Sequence, residues 1–409
     1  MKELIEKYAK LAVVMGANVQ KGQVLILNTS VQAVEFSQAV VKAAYEAGAK
    51  EVIVNYSDDQ ISKYHYQYQA VETLMEVHPW QIDSKLDYMK QGACMLRICS
   101  DIPGIMEGIE ASKIAKANQA RSIAMKEVNT YTMANKIPWS IVAIPNLAWA
   151  KKVFPTKNDE DALCALWDAV LKAVHVSKDN DPIAIWKKHS ETLKKREKIL
   201  NDMHIKTLHF KNKLGTDLTV ELVRNHIWSG CSEVSEKGII FTPNMPTEEI
   251  FTMPYKYGVN GTVYATKPLD YNGKLIEDFH FTFENGKVIE YDAKKEKEAL
   301  EMLVEFDEGS HYIGEVALVP YNSPISQSGI LFLNTLFDEN ASCHLALGRA
   351  YPMNVKDGTS MSQEALNEAG SNDSNTHIDF MFGSEDMDII AIDENNKTIK
   401  IFEAGNFII

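Results

Sequence analysis

Several features that mark common protein classes are missing from this sequence of 409 residues. Its 5 cysteines are scattered, with no CxxC pair and no histidine-rich cluster beside them, which argues against a disulfide framework or a thiolate zinc site. We expect them to be reduced and buried. No segment approaches the roughly 20 apolar residues that a transmembrane helix needs, and charges interrupt the first apolar run too early for a signal peptide. We therefore expect a cytoplasmic protein that does not contact membranes.

Positive charge is also scarce. The chain carries 42 Lys and Arg against 56 Asp and Glu, a formal net charge of −14. Because nucleic acid is bound by basic surfaces, we expect no nucleic-acid partner. Bound cations would offset the mutual repulsion of the carboxylates, so an acidic chain is better suited to metal ions.

The pattern of apolar residues predicts two different halves. In the first half, short apolar runs such as "QVLILN" (23–28) and "EVIVNYS" (51–57) alternate with amphipathic helices, which indicates βαβ units. A charged helix at 182–203 precedes period-2 segments such as "HFTFENGKVIEY" (280–291), which has Asn-Gly at a predicted hairpin turn. We predict an α/β N-terminal domain with a mainly parallel sheet at 1–200, and a β-rich α+β C-terminal domain at 201–409.

The short motifs of well-known enzyme classes are absent: HExxH, GxxxxGK[ST], GxGxxG and GxSxG. What remains is a dispersed set of acidic and imidazole side chains in four apolar segments of the second half. These are Glu248 and Glu249 in "NMPTEEIFTMP", Glu315 in "HYIGEVALVP", Glu339 and His344 in "FDENASCHLALGRAYP" with Tyr351 close behind, and His377 and Asp379 in "THIDFMFG".

His377 and Asp379 show why metal binding is considered. On a strand, residues i and i+2 face the same side about 6.5–7 Å apart, so both side chains can reach one ion or two adjacent ions. Four carboxylates (Glu249, Glu315, Glu339 and Asp379) would balance two divalent cations, and imidazole nitrogen favours zinc, cobalt or manganese over calcium. Each residue taken alone is more simply explained as a solvated or packed side chain.

Taken together, the four segments resemble the aminopeptidase T/aminopeptidase S family of thermophilic metalloproteases. They occur in the family's order within 240–385, whereas the first half is similar in layout only. The resemblance implies a metal-dependent aminopeptidase that hydrolyses N-terminal amino acids from peptides with a free N-terminus, through a two-metal-activated water. It also implies a homodimer, a catalytic role for 201–409, and two divalent ions per chain, with zinc or cobalt preferred and manganese or magnesium accepted.

Carried over to this sequence, the resemblance implies a set of metal ligands and catalytic groups. The ligands are Glu249, Glu315, Glu339, His344, His377 and Asp379. Glu249 is chosen over Glu248 because it keeps the family's register to Glu315, which we expect to bridge the ions. Tyr351 matches the active-site tyrosine and would donate a hydrogen bond to the developing oxyanion. The segment 353–375 matches least and is expected to form a flexible loop.

Two alternative functions are kept open. One is a non-catalytic α/β binding protein in which the acidic strands face solvent. The other is a metallohydrolase of another amide or ester substrate.

Overall fold

A computed structural model describes residues 1–271 and 274–409 and divides them into two compact units. The first unit contains residues 1–188 and 232–246, and the second contains residues 189–231 and 247–409. Among the described residues, no helix is long and apolar enough to cross a membrane.

The helices lie mostly in the first unit. In chain order they are α1 (Lys2–Leu11), α2 (Val34–Glu46), α3 (Asp59–Tyr68), α4 (Val71–Met75), α5 (Pro79–Lys90), α6 (Ala111–Ala124), α7 (Lys126–Met133), α8 (Leu147–Val153), α9 (Asp159–Ala173), α10 (Pro182–Asp202), α11 (Lys297–Val304), α12 (Pro324–Ser328), α13 (Thr335–Asp338) and α14 (Gln363–Ala369). The first segment of the first unit ends within α10, at residue 188. The predicted domain boundary at residue 200 falls in the same helix and stays a prediction.

The strands are concentrated in the second unit. They are β1 (Val24–Ser30), β2 (Glu51–Ser57), β3 (Cys94–Cys99), β4 (Trp139–Ala143), β5 (Ile205–Lys211), β6 (Asp217–Leu222), β7 (Ser229–Gly230), β8 (Glu233–Val234), β9 (Ile240–Phe241), β10 (Asn244–Met245), β11 (Ile250–Thr252), β12 (Pro254–Tyr264), β13 (Leu269–Tyr271), β14 (Lys274–Glu284), β15 (Lys287–Lys295), β16 (Ile313–Leu318), β17 (His344–Gly348), β18 (His377–Met381), β19 (Asp388–Asp393), β20 (Thr398–Glu403) and β21 (Asn406–Phe407).

The first unit is built on a parallel sheet with the strand order β10-β4-β3-β1-β2. Leu25 and Leu27 of β1 are fully buried on one face, while Ile26 faces the other side and packs with Leu86 of α5 and Val128 of α7. A strand covered on both faces explains the continuous apolar run in the sequence. The predicted α/β half with a mainly parallel sheet is therefore confirmed.

The second unit contains two antiparallel sheets. The larger has nine strands in the order β13-β14-β12-β6-β5-β19-β20-β21, with β15 paired to β14. Asn285 and Gly286 form the predicted β14–β15 turn with φ of 50° and 83°. A Cβ at Gly286 would lie 1.8 Å from the Lys256 carbonyl oxygen, so this close approach also requires glycine.

The small sheet has the strand order β18-β17-β16-β11-β7, and all its neighbouring pairs are antiparallel. All residues of β16 and β17 are buried. The β-rich, mostly antiparallel second half agrees with the predicted fold class.

Two smaller predictions were wrong. The segment 353–375, expected to be a flexible loop, contains α14 and two 3₁₀ turns, and its Asn372 is buried with its amide group donating to the Gly309 and Gly348 carbonyl oxygens. All five cysteines are free, as expected, but Cys164 is exposed instead of buried. Part of the polarity of 353–375 comes from Asn354 and Asn372, whose buried side chains donate to backbone carbonyl groups.

Candidate metal centre

The register between β16 and β17 aligns the first site residues. Ala317 lies opposite His344, and Glu315 lies opposite Ala346. Directly opposed residues share a face, and so do residues two apart on one strand. Glu315 and His344 therefore project from the same face of the small sheet.

The register between β17 and β18 extends this row. Ala346 lies opposite Asp379, and Gly348 lies opposite His377. Asp379 and His377 thus join Glu315 on the same face. Ala346, the residue between Glu315 and Asp379, carries only a methyl group, which leaves room for the two carboxylates.

One imidazole–carboxylate group forms around His344. Its Nε2 lies 3.2 Å from Oε2 of Glu249 and 3.5 Å from Oε1 of Glu315. Glu249 immediately precedes β11, the neighbour of β16. One ligand atom from each of these three side chains lies within 4.8 Å of the others, a spacing that one metal ion could span.

A second group forms around His377. Its Nε2 lies 3.4 Å from Oε2 of Glu315 and 3.3 Å from Oδ1 of Asp379. These three side chains also offer ligand atoms within 4.8 Å of one another. Glu315 belongs to both groups and directs one carboxylate oxygen to each imidazole.

The backbone orients both imidazole rings. Nδ1 of His344 lies 3.3 Å from the Ser342 carbonyl oxygen, and Nδ1 of His377 lies 2.7 Å from the Arg349 carbonyl oxygen. A carbonyl can only accept a hydrogen bond, so each Nδ1 carries the proton that it donates. In a neutral ring this leaves the Nε2 lone pair facing the carboxylates, which is the arrangement of metal-binding histidines.

The electrostatics of the group show how strongly these charges interact. Burial raises the pKa of Glu339, and the charges of Glu249 and Asp379 raise it further. Burial lowers the pKa of His344 and of His377, but the surrounding carboxylates outweigh this and raise both pKa values well above the ordinary histidine value.

The pKa values of the carboxylates shift in different directions. Burial raises the pKa of Glu249, and hydrogen bonding to His344 offsets only part of that rise. Burial also acts to raise the pKa of Glu315, but hydrogen bonds from His344 and His377 outweigh it, and the net shift is downward. The raised pKa values of Glu249 and Glu339 show that the four carboxylates resist carrying their charges together. Bound divalent cations would favour the ionised carboxylates.

The residues present fit divalent metal ions. Oδ1 of Asp379 is buried and accepts no hydrogen bond from the described residues. Its nearest ion-pair partner is Nε2 of His377. Buried carboxylate oxygens beside imidazole Nε2 atoms make up the donor set that zinc and related ions prefer.

Tyr351 lies at the edge of this group. Its ring centroid is 4.7 Å from that of His377 and 6.1 Å from that of Phe251. Burial raises the pKa of Tyr351, and the charges of Glu315 and Asp379 raise it further, so the phenol keeps its proton.

The adjacent Glu248 and Glu249 have different surroundings. Glu249 lies beside His344, whereas Oε2 of Glu248 lies 3.9 Å from Nε2 of His189. Glu339 is half-buried near the group, in the 3₁₀ turn 339–341, but it belongs to neither of these two three-residue sets.

Sequence reasoning missed the residues that make space for the site. Ala346 and Gly348 occupy the site face of β17 at the second and fourth positions after His344. The signal was present in "HLALG" as small residues at i+2 and i+4. The carbonyl groups of Ser342 and Arg349, which orient the imidazoles, left no such signal.

Buried carboxylates and imidazoles on one sheet face are typical of metal-dependent hydrolases. The sequence matches the thermophilic metalloprotease (M29) family over residues 1–407. The chain belongs to this family, which confirms the resemblance seen in the four motifs.

Known proteins are similar over the whole chain. Aminopeptidase AmpS of Bacillus subtilis is 46% identical over 403 residues, which covers 98% of both chains. Aminopeptidase T of Thermus thermophilus is 36% identical over 411 residues, covering 100% of this chain and 99% of that protein. The solved structure of wild-type AmpT from Thermus thermophilus superimposes with a TM-score of 0.93 at 35% identity and covers 100% of both chains.

Proposed function

We propose that this chain is a metal-dependent aminopeptidase that removes N-terminal amino acids from peptides. The observation that carries the proposal is the position of Glu315, whose two carboxylate oxygens face two different imidazoles. Membership of a metalloprotease family and the similarity to proteins named aminopeptidases support the same activity. The non-catalytic alternative is not favoured, because it requires acidic strands that face solvent, whereas Glu315 is only 4% exposed.

The proposed cofactor is a pair of divalent ions. Glu249 and His344 would hold one ion, His377 and Asp379 the other, and Glu315 would bridge them, with Glu339 completing the ligand set. The mixed carboxylate and imidazole donors suit zinc or cobalt, and manganese or magnesium remain acceptable. Bound divalent ions would polarise the scissile carbonyl group and lower the pKa of a water molecule.

The protein's own side chains then have separate tasks. Tyr351 keeps its proton next to several carboxylates, so it can donate a hydrogen bond to the oxygen on which negative charge develops. The Ser342 and Arg349 carbonyl groups fix the ring orientations of His344 and His377.

Binding of the substrate's α-amino group gives a reason for exopeptidase action. A free α-amino group would bind a metal ion or a nearby carboxylate of the site. An N-acetylated peptide cannot bind in this way. The homodimer, the cytoplasmic location and the assignment of catalysis to 201–409 stay predictions from the sequence and its resemblance.

A paired hydrolysis assay tests the proposal. Leucine p-nitroanilide should be hydrolysed after addition of cobalt or zinc, and N-acetyl-leucine p-nitroanilide should not. Chelation should remove the activity, and metal should restore it. Equal rates on both substrates would contradict aminopeptidase action. Hydrolysis of p-nitrophenyl phosphate alone would favour the alternative function, a metallohydrolase of another amide or ester substrate.

A further inference from the structure

The first unit contains a cavity at the carboxyl end of its parallel sheet. The cavity measures about 350 Å³ and is lined by the last residues of three strands, among them Asn28 of β1, Ser57 of β2 and Arg97 of β3. This volume lies within the range of small-molecule sites, about 300–1,000 Å³.

The strand order makes this end of the sheet a natural binding position. β1 lies between β2 and β3. The chain therefore passes from β1 to β2 on one side and then returns across β1 to β3 on the other. The two connections leave a crevice at the carboxyl ends, the position where open parallel sheets commonly bind ligands.

Three cationic side chains from three elements line the cavity: Lys85 of α5, Arg97 of β3 and Arg121 of α6. Within residues 1–271 and 274–409, none of the three forms an ion pair with a carboxylate, although burial raises the pKa of Asp59 and the charge of Arg97 acts to lower it. Burial lowers the pKa of Lys85, and the positive charge of Arg121 lowers it further, so two of these cations lie close enough to repel. In a chain with a net charge of −14, three cations grouped around one cavity are best explained by an anionic ligand.

The rest of the lining is apolar or uncharged, apart from Asp101. Met89, Met125 and Val128 are buried side chains that border the cavity and belong to one hydrophobic cluster. Asn129 and Thr132 of α7 add neutral hydrogen-bonding groups. A suitable ligand therefore carries both an anionic group and an apolar part.

The turn after β1 narrows the class of anion. It reads "TSVQAV" and contains no glycine, so the backbone does not offer the close approach that a dinucleotide pyrophosphate needs. Ser30 Oγ already accepts a hydrogen bond from the backbone N–H of Gln32 at the start of this turn. The basic side chains, and not the backbone, would therefore bind the ligand, and they suit a ligand with a single anionic group.

We propose that this cavity binds a small organic anion, with a phosphate or carboxylate group held by Lys85, Arg97 and Arg121 and an apolar part packed on Met89 and Met125. This site shares no residue with the metal centre, since every residue of its lining belongs to the first unit.

The test is titration calorimetry on the full chain at low salt, with phenyl phosphate, benzoate and neutral benzamide as probes. The three probes share one ring, so the comparison isolates the anionic group. Saturable binding of phenyl phosphate, of benzoate, or of both, with none of benzamide, is the expected result. The relative affinities for phenyl phosphate and benzoate also show whether the site prefers a phosphate or a carboxylate group.

Charge-removing variants complete the test. Arg121→Gln and Lys85→Met should each weaken the binding of the anionic probe about tenfold or more. Lys116→Gln, on the exposed surface of α6 and outside the lining, should change it by less than about twofold. Thermal unfolding checks that each variant is folded. Absence of saturable binding by both anions, or equal affinity in Arg121→Gln, Lys85→Met and the parent chain, would overturn the proposal.

Discussion

The small sheet of the second unit and the parallel sheet of the first unit both carry clusters of charge, but in different positions. In the small sheet, Glu315 and Asp379 project from the middle of their strands and His344 from the first residue of β17, all onto one face. In the parallel sheet, Arg97 lies near the end of its strand, and Lys85 and Arg121 come from helices.

Burial differs as much as position. His344 is 1% exposed and Glu315 4%, whereas Arg97 and Arg121 are exposed. Charges removed from water interact strongly and need partners, while charges at an open rim are solvated and screened. The buried acidic face therefore depends on counter-ions in a way that the basic cavity does not.

The largest effect is expected from Glu315→Gln. Each imidazole group loses a carboxylate partner. The value of kcat/KM should therefore fall by more than the roughly 10–100-fold that is typical when a hydrogen bond to a metal ligand is lost. Phenyl phosphate binding in the first unit should be unchanged. Glu290→Gln, at an exposed position of β15, is the matched control. Near-native turnover in Glu315→Gln would show that the shared carboxylate is not essential.

Tyr351→Phe removes one hydroxyl group at the edge of the buried face. If this hydroxyl group donates to the developing oxyanion, kcat should fall about 10²–10³-fold. KM and metal content should change little, because the ring remains in contact with His377. Steady-state kinetics measure this effect, with Tyr291→Phe as the control variant. An unchanged kcat in Tyr351→Phe would mean that Tyr351 serves only in packing.

Ala346→Val tests the space between Glu315 and Asp379. The two added methyl groups should displace these carboxylates and lower kcat/KM by about 10²-fold, since shifts of about 1 Å can have this effect. Ala391→Val changes another fully buried strand alanine, outside the small sheet. Both should lower stability by about 1–3 kcal/mol. Equal activity loss in the two variants would attribute the effect to general overpacking.

Salt should distinguish the two clusters. Between about 0.1 M and about 1 M ionic strength the screening length falls from about 10 Å to about 3 Å. The Kd of the anionic probe should rise about tenfold because Arg97 and Arg121 are exposed, while metal affinity should change by less than about twofold. A Kd unaffected by salt would mean that the basic side chains do not hold the anion.

Glu197 of α10 is a half-buried carboxylate outside both sites, and it isolates the effect of burial. Burial raises its pKa from 4.5 to about 7, although the Lys194 charge and the Gly230 N–H lower it in part. As the pH rises from 4.5 towards 7, the unfolded state loses this proton first, so ionisation favours unfolding.

The variant Glu197→Gln cannot ionise at this position, so its free energy of unfolding does not fall for this reason as the pH rises. It should match the parent chain near pH 4.5 and be more stable above pH 7, by about 1 kcal/mol after allowance for solvent access. Denaturant unfolding at both pH values measures the difference, with the exposed Glu191→Gln as control. A gain of equal size at both pH values would exclude titration of Glu197 as the cause.

The sequence predicted the parts of the fold and site that depend on local pattern. Continuous apolar runs such as "QVLILN" (23–28) indicated strands covered on both faces, and Asn285-Gly286 indicated a hairpin. His377 and Asp379 were expected on one face because they are two residues apart. The family resemblance assigned the acidic and imidazole residues of all four segments to one ligand set.

What depends on register or on distant segments was not predictable. Only the pairing of β16 with β17 places Glu315 next to His344, and no local rule assigns Glu249 to His344 while Glu248 faces His189. The basic cavity left no motif, because its cations lie on three separate elements and each alone looks like an ordinary solvated residue.

Counting bound metal ions is the most direct test of the central claim, that Glu315 joins two ion sites. Elemental analysis of the metal-loaded parent chain should find about two divalent ions per chain. His344→Ala and His377→Ala should each retain about one, and Glu315→Gln should lose most of both. Two ions retained in Glu315→Gln, or none in the parent chain, would contradict the bridging role of Glu315.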